Sequence, residues 1–375
     1  MKMPWIAAAI GAALLAAPLS AGAASYIVLG GPGAPLEKAV RSAGGVVTNR
    51  FPELNAVVAE SRRSTFKEEL ASAVGVQYVL PNIRIDWYRG VERAGESVRI
   101  ESFGNPPNSG DDDARFDLQW GHDAVDAPEA WNAGYRGQGA TVAVLDGGFN
   151  PQHPDIAPNY LPGCSADFTG EGLEYGPNAD DPTGVFSHGM HAAGTIAAAD
   201  NGFGTIGVAP AAKLCLVKVL LNAGVGSFED VVEGILYATR KGVDVINMSL
   251  GGAVYKAGVR GLYSASDAAG FKNFVDRAVT YAYQNGVLVI ASAGNEGIDG
   301  DADAALIHLP SDATHAVSIA ATAPVGWGKD PAVFLDNPAS YTNYGRSVVG
   351  LAAPGGDFLY FFVDASETCT VAGLT

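Results

Sequence analysis

His188 and His191 stand three residues apart in Ser187-His188-Gly189-Met190-His191-Ala192-Ala193-Gly194-Thr195, ahead of the small apolar run Ile196 to Ala199. On a helix that spacing sets both imidazoles on one side, with a small-residue face that admits close packing. A helix N-terminus does not favour a charged imidazole, so a histidine at the start stays neutral more readily, which suits a general base. Such chemistry needs a carboxylate to orient the ring and a nucleophile for it to activate. Asp146, directly after the apolar run Ala140 to Leu145, supplies a carboxylate. Asn295, in Ala293-Gly294-Asn295-Glu296-Gly297, offers an amide donor for a developing oxyanion. From residue types alone, a buried aspartate holding a structural histidine is the competing reading, and a metal site on His188 and His191 is another.

The elements that must position these groups are legible from periodicity. Apolar strands at Ala140 to Leu145, Lys213 to Val219, Val243 to Met248, Val287 to Ser292 and Ala316 to Ala321 alternate with helical stretches. The helices are expected at Ala124 to Trp131, Ala192 to Ala199, Phe228 to Lys241 and Phe274 to Asn285. Strands that are apolar almost throughout call for a parallel sheet covered on both faces, an α/β fold. Ligands of such sheets sit beyond the carboxyl ends of the strands. Asp146, Ser249-Leu250-Gly251-Gly252 and the Asn295 cluster each follow a strand, so they describe one cleft with His188 at its helix start.

Upstream, residues 1–23 have a basic start, a short apolar middle and an Ala-x-Ala ending, the pattern of a secretory signal. A secreted or periplasmic product is expected, with no membrane span after the signal. Residues 24–83 read as β-α-β-β-α-β, a small α+β domain. Residues 84–115, with Asn105-Pro106-Pro107-Asn108-Ser109-Gly110, read as an exposed linker, and 116–375 as the second domain. The 375 residues are 48% hydrophobic, enough for a sizeable core, and the 48 glycines and 21 prolines have no short period. The net charge of −17, from 23 basic and 40 acidic residues, argues against nucleic acid as a partner. Cys164, Cys215 and Cys369 suggest one disulfide and one free thiol, without saying which pair forms.

Four blocks resemble the subtilisin-like serine proteases, the subtilases of peptidase family S8, in the family's order. They are Thr141-Val142-Ala143-Val144-Leu145-Asp146-Gly147-Gly148, His188-Gly189-Met190-His191-Ala192-Ala193-Gly194-Thr195, Asn247-Met248-Ser249-Leu250-Gly251-Gly252 and Ala293-Gly294-Asn295-Glu296-Gly297. The resemblance implies a three-layer parallel sheet with helices on both faces, preceded by an inhibitory propeptide at 24–83 that acts in cis. It implies a serine endopeptidase acting on extended polypeptides, with Asp146 and His188 as triad members and Asn295 in the oxyanion hole. Gly224, Val225 and Gly226 then resemble the edge that pairs with substrate, and Ser249, Leu250 and Gly251 the wall of the specificity pocket. His191 takes a packing or hydrogen-bonding role. No cofactor is implied for catalysis; Asp155 and Asn201 resemble contributors to a structural calcium site.

Two positions depart from the family pattern: Gly147 and Met190 stand where a small hydroxyl residue is usual. The family's Gly-Thr-Ser-Met-Ala segment, which carries the nucleophile, is not found in these residues, and Ser366 lacks its flanking glycine and apolar helix. The expectation is a protease fragment incomplete at its C-terminus and inactive as given, with strands such as Val142 to Leu145 and Val287 to Ile290 left partly bare. The alternative is a non-catalytic, peptide-binding subtilase-like protein.

Overall fold

The computed structural model describes residues 22–88, 112–113, 115–116, 119–177, 184, 187–303, 305–324 and 334–357. Residues 1–21 of the signal, Ser366 and Cys369 lie outside these.

The chain begins with β1 (Ala24–Gly30), α1 (Leu36–Ser42), β2 (Val46–Phe51), β3 (Ala56–Ser61), α2 (Phe66–Ala71) and β4 (Val76–Pro81). They form an antiparallel sheet of order β2-β3-β1-β4. Alternate residues of a strand face opposite sides, and both faces of β1 are buried. Val28 packs under α1 and α2 with Val40, Phe66 and Leu70, whereas Ile27 and Leu29 join the core of the larger domain. That second face meets the helices α6 and α7 described below, with Phe51 and Phe274 edge to face at 5.7 Å. A polar rim surrounds the contact: Lys67 Nζ lies 2.7 Å from Asp267, and Arg277 Nη1 donates to the carbonyls of Gly30 and Leu54 at 2.9 and 2.6 Å.

Two residues after β4 the chain forms β5 (Arg84–Asp86), which lies outside this sheet and in a separate two-stranded one. Here the expected exposed linker from residue 84 is corrected. Ile85 and Trp87 carry apolar side chains into the neighbouring domain, and Trp87 is only 2% exposed.

The larger domain runs α3 (Trp120–Ala124), α4 (Ala127–Asn132), β6 (Thr141–Asp146), β7 (Ala166–Asp167), α5 (His188–Ala197), β8 (Lys213–Lys218), β9 (Val225–Ser227) and α6 (Phe228–Lys241). It goes on through β10 (Val245–Met248), β11 (Gly252–Tyr255), β12 (Gly258–Val259), β13 (Tyr263–Ser264) and α7 (Ala265–Gln284). The described residues finish with β14 (Leu288–Ser292), β15 (Leu306–Leu309), β16 (Ala316–Thr322) and β17 (Leu351–Pro354). The helix expected over Ala124 to Trp131 is instead two short ones, because Asp126 takes φ 55° and breaks the run.

A parallel sheet of order β17-β16-β14-β10-β6-β8-β7 forms the middle layer. Val144, Leu214 and Leu216 face α5, while Ala143, Leu145, Ile246 and Met248 face the side of α6 and α7. The fold is therefore the expected α/β sandwich of three layers. Of the strands expected to stand partly bare, β6 is covered, with Val142 8% exposed and Leu145 fully buried, whereas in β14 Leu288 is 46% exposed and Ile290, with Val142, Val245 and Ile319, lines an open cavity. Cys164 and Cys215 form a disulfide that ties the segment before β7 to β8.

Arg277→Ala removes a guanidinium that holds two main-chain carbonyls, so it should loosen the seam between the N-terminal sheet and α7. Hydrogen bonds from a charged donor contribute roughly 1.5–3 kcal/mol. Urea unfolding should therefore show a loss of about 2 kcal/mol, and an unchanged midpoint would mean that the apolar contact alone holds the seam.

Candidate active site

Asp146 is the last residue of β6 and is fully buried. Its Oδ1 accepts the Gly147 N–H at 2.7 Å, and its backbone carbonyl accepts Val219 N–H at 2.9 Å, which fixes the strand end. His188 is the first residue of α5, with Nδ1 at 2.9 Å from Asp146 Oδ2 and 3.0 Å from Oδ1. Local chemistry sets the helix start. Ser187 caps α5 by accepting Met190 N–H at 3.2 Å, and its hydroxyl donates to the Gly148 carbonyl. One serine thus joins the helix to the turn after Asp146. Gly189 allows the approach, since a Cβ there would lie 2.8 Å from the Phe149 ring.

Burial opposes a charge on His188, but the Asp146 carboxylate beside it, by charge and hydrogen bond, holds the imidazole above its ordinary value. Burial, joined by the charge of His188, holds His191 below its ordinary value. His191 lines a separate cavity of about 630 Å³ with His153 and Asp155, so the two rings of the motif serve different places. An Nδ1–H given to the carboxylate leaves Nε2 of His188 as the basic nitrogen that can accept a proton.

The two predicted walls of the cleft face each other across β5. Arg84, Ile85 and Asp86 pair antiparallel with Ser227, Gly226 and Val225. Trp87 N–H donates to the Gly224 carbonyl at 3.0 Å, its indole N–H to the Gly226 carbonyl at 2.9 Å, and Gly251 N–H donates to the Trp87 carbonyl at 3.1 Å. Ser249 accepts from the Asn247 amide at 2.9 Å, and the Leu250 carbonyl accepts from the Ser292 hydroxyl at 3.2 Å. Asn295 lines a cavity of about 700 Å³ together with His188, Ser249 and Gly251.

Two further residues were not singled out from the sequence. Asn343 holds the loop that carries Asn295: its Oδ1 accepts Glu296 and Ile298 N–H at 3.1 and 3.0 Å, and its amide donates to Glu296 Oε2 at 2.7 Å. Gly294, at φ +107°, leaves it room, since a Cβ there would lie 2.3 Å from Asn343 Nδ2. Tyr88 sits over Asp146 and His188, its ring 4.2 Å from that of His188 and its hydroxyl donating to Asp146 Oδ1. Nothing in the spacing of residues 84–115 pointed to it.

Residues 137–373 match the model of the subtilase family, Peptidase_S8. The chain belongs to this family. This subtilase is 32% identical to thermitase of Thermoactinomyces vulgaris over 256 residues, 68% of this chain and 76% of that protein. It is 36% identical to subtilisin Savinase of Lederbergia lenta over 238 residues, 64% of this chain and 72% of the other. The major intracellular serine protease of Bacillus subtilis is 41% identical over 186 residues, 49% of this chain and about half, 51%, of that protein. In fold it is similar to the epidermin leader peptide processing serine protease of Staphylococcus aureus, with TM-score 0.67, 20% identity, and 91% of this chain covering 77% of that one. The relatives are serine proteases.

Asp155 and Asn201 also come together. Asp155 is 5% exposed and accepts Thr205 N–H at 3.3 Å, and the Asn201 amide lies 3.5 Å from its Oδ1. Nearby, Asp112, Asp113 and Asp200 have ligand atoms within 4.8 Å of one another.

Nuclear magnetic resonance titration of the imidazoles should find His188 above about 6.5, the ordinary value, and Asp146→Asn should drop it below, because burial then acts alone. For a raised histidine, the stabilisation is complete below the unfolded value and is lost as pH rises through the folded one. An unchanged His188 titration in Asp146→Asn would show that the carboxylate is not its partner in solution.

Proposed function

We propose that the protein is the precursor of an exported subtilisin-like endopeptidase, with residues 24–83 acting as its inhibitor in cis. The observation that carries this reading is the pairing of β5 with β9 beside His188, which lays the chain's own backbone where an extended polypeptide would lie. Export rests on the pattern of residues 1–23, and among the described residues no helix is long and apolar enough to cross a membrane.

In the proposed mechanism Asp146 holds the His188 tautomer and stabilises the imidazolium formed when Nε2 takes a proton from a serine hydroxyl. The Asn295 amide then donates to the oxyanion of the tetrahedral intermediate. Gly224 to Gly226 and Ser249 to Gly251 bind the substrate backbone by strand pairing. Residues 1–375 contain no Gly-Thr-Ser segment, so these residues alone are expected to bind peptide without hydrolysing it. The same reading assigns a structural calcium ion to Asp155 and Asn201, whose oxygen donors on a loop suit a hard cation.

Residues 24–375, produced in a host lacking exported proteases, should keep residues 24–115 attached and take up no serine-directed phosphonate, as read by intact mass. Covalent labelling, or a new N-terminus near Phe116, would overturn the expected inactivity of this stretch and exclude the non-catalytic peptide-binding reading. Calcium in the millimolar range should raise Tm, and Asp155→Ala should abolish that rise.

A further inference from the structure

Gly147 stands directly after the catalytic aspartate, and its smallness is matched by a side chain from elsewhere. A Cβ at Gly147 would lie 2.6 Å from the Tyr88 hydroxyl oxygen, and one at Gly224 would lie 2.1 Å from the Tyr88 ring. The two absent side chains leave a slot that a phenol fills. Its ring faces His188 at 4.2 Å with the planes inclined by 32°. Its hydroxyl donates to Asp146 Oδ1 and accepts the Gly147 N–H at 2.9 Å.

The two glycines are not equivalent. Gly224 has φ +79°, which disfavours a side chain whatever the ligand, whereas Gly147 does not lie in the left-handed region. No backbone demand therefore explains a glycine at 147; the space it leaves does. Burial, then the charge of Asp146 and the hydrogen bond to it, push the Tyr88 phenol well above its ordinary value. The phenol keeps its proton and remains a donor to the carboxylate.

We propose that Gly147 makes the subsite facing His188 selective for tyrosine, and that Tyr88 is the chain's own occupant of it. The proposal rests on the reading of this cleft as the peptide-binding cleft of a protease. A phenylalanine keeps the ring on His188 and loses both hydroxyl hydrogen bonds. A leucine loses the flat contact as well. A side chain at 147 occupies the place of the hydroxyl and so removes the advantage of tyrosine over phenylalanine. The polypeptides best held in the cleft are accordingly those presenting tyrosine next to His188.

Hydrogen exchange of the Trp87 and Gly251 amides reports directly on the seated segment, since both bond across the cleft. It should be measured on the full 375-residue chain as wild type, Tyr88→Phe, Tyr88→Leu, Gly147→Ala and the Tyr88→Phe/Gly147→Ala double variant. The β6 amides of Ala143 to Leu145 serve as a control for folding. Wild type should exchange slowly at both reporters. Tyr88→Phe should be about tenfold faster, as expected for losing a hydrogen bond to a charged group, and Tyr88→Leu faster again. Gly147→Ala should accelerate exchange in the wild-type background and leave it unchanged in the Tyr88→Phe background. Slow wild-type exchange with equal rates in all position-88 variants would overturn the tyrosine selectivity alone. An equal effect of Gly147→Ala in both backgrounds would overturn the role of Gly147. Fast exchange in wild type, with β6 protected, would mean that the segment does not occupy the cleft, and the reading beneath the proposal would fall with it.

Discussion

A fully buried carboxylate needs partners, and in this protein the partners of Asp146 come from three separate parts of the chain. His188 arrives from the start of α5, the Gly147 N–H from the turn after β6, and the Tyr88 hydroxyl from the segment after β5. Desolvating an unpaired charge is costly enough that such a site is populated only when its partners are in place. The strand end, the Ser187 cap and the Gly189 contact can therefore be understood together as the means of bringing an imidazole to one carboxylate. Asp146 holds the His188 imidazole above its ordinary value against the burial that opposes its charge, whereas burial chiefly holds His191 below its own.

The N-terminal sheet is held by a different force. Its β1 is apolar on both faces, so one face must find a partner beyond α1 and α2, and the helices α6 and α7 provide it. Once docked, the sheet leads the chain into the cleft, where β5 pairs antiparallel with β9. Trp87 fills an apolar space beneath, and Tyr88 lies above Asp146 and His188. The site is thus described in its occupied form, with the chain's own backbone bonded on both walls. Asn343 plays the corresponding part on the opposite side, bonding the loop of Asn295 from a position 48 residues later in the chain.

The sequence by itself determined a great deal. Apolar runs bounded by glycine and followed by polar clusters gave the parallel strands, and the motif order placed Asp146 and Asn295 at their carboxyl ends and His188 at a helix start, because local pattern dictates burial and strand ends dictate where a cleft forms. Tertiary structure alone decided the rest. Which cysteines pair depends on distance, and only the fold brings Cys164 and Cys215 to a Cα separation of 5.2 Å. Residues 84–88 have too short an apolar pattern to read as a strand, since their partners, Val225 to Ser227 and Gly251, are remote in sequence. The glycine at 147 looked from sequence like a lost hydroxyl near the catalytic pair. In the folded protein a hydroxyl is there after all, supplied by Tyr88 from 59 residues away, because an empty space beside a buried carboxylate can be filled by any donor the fold brings to it.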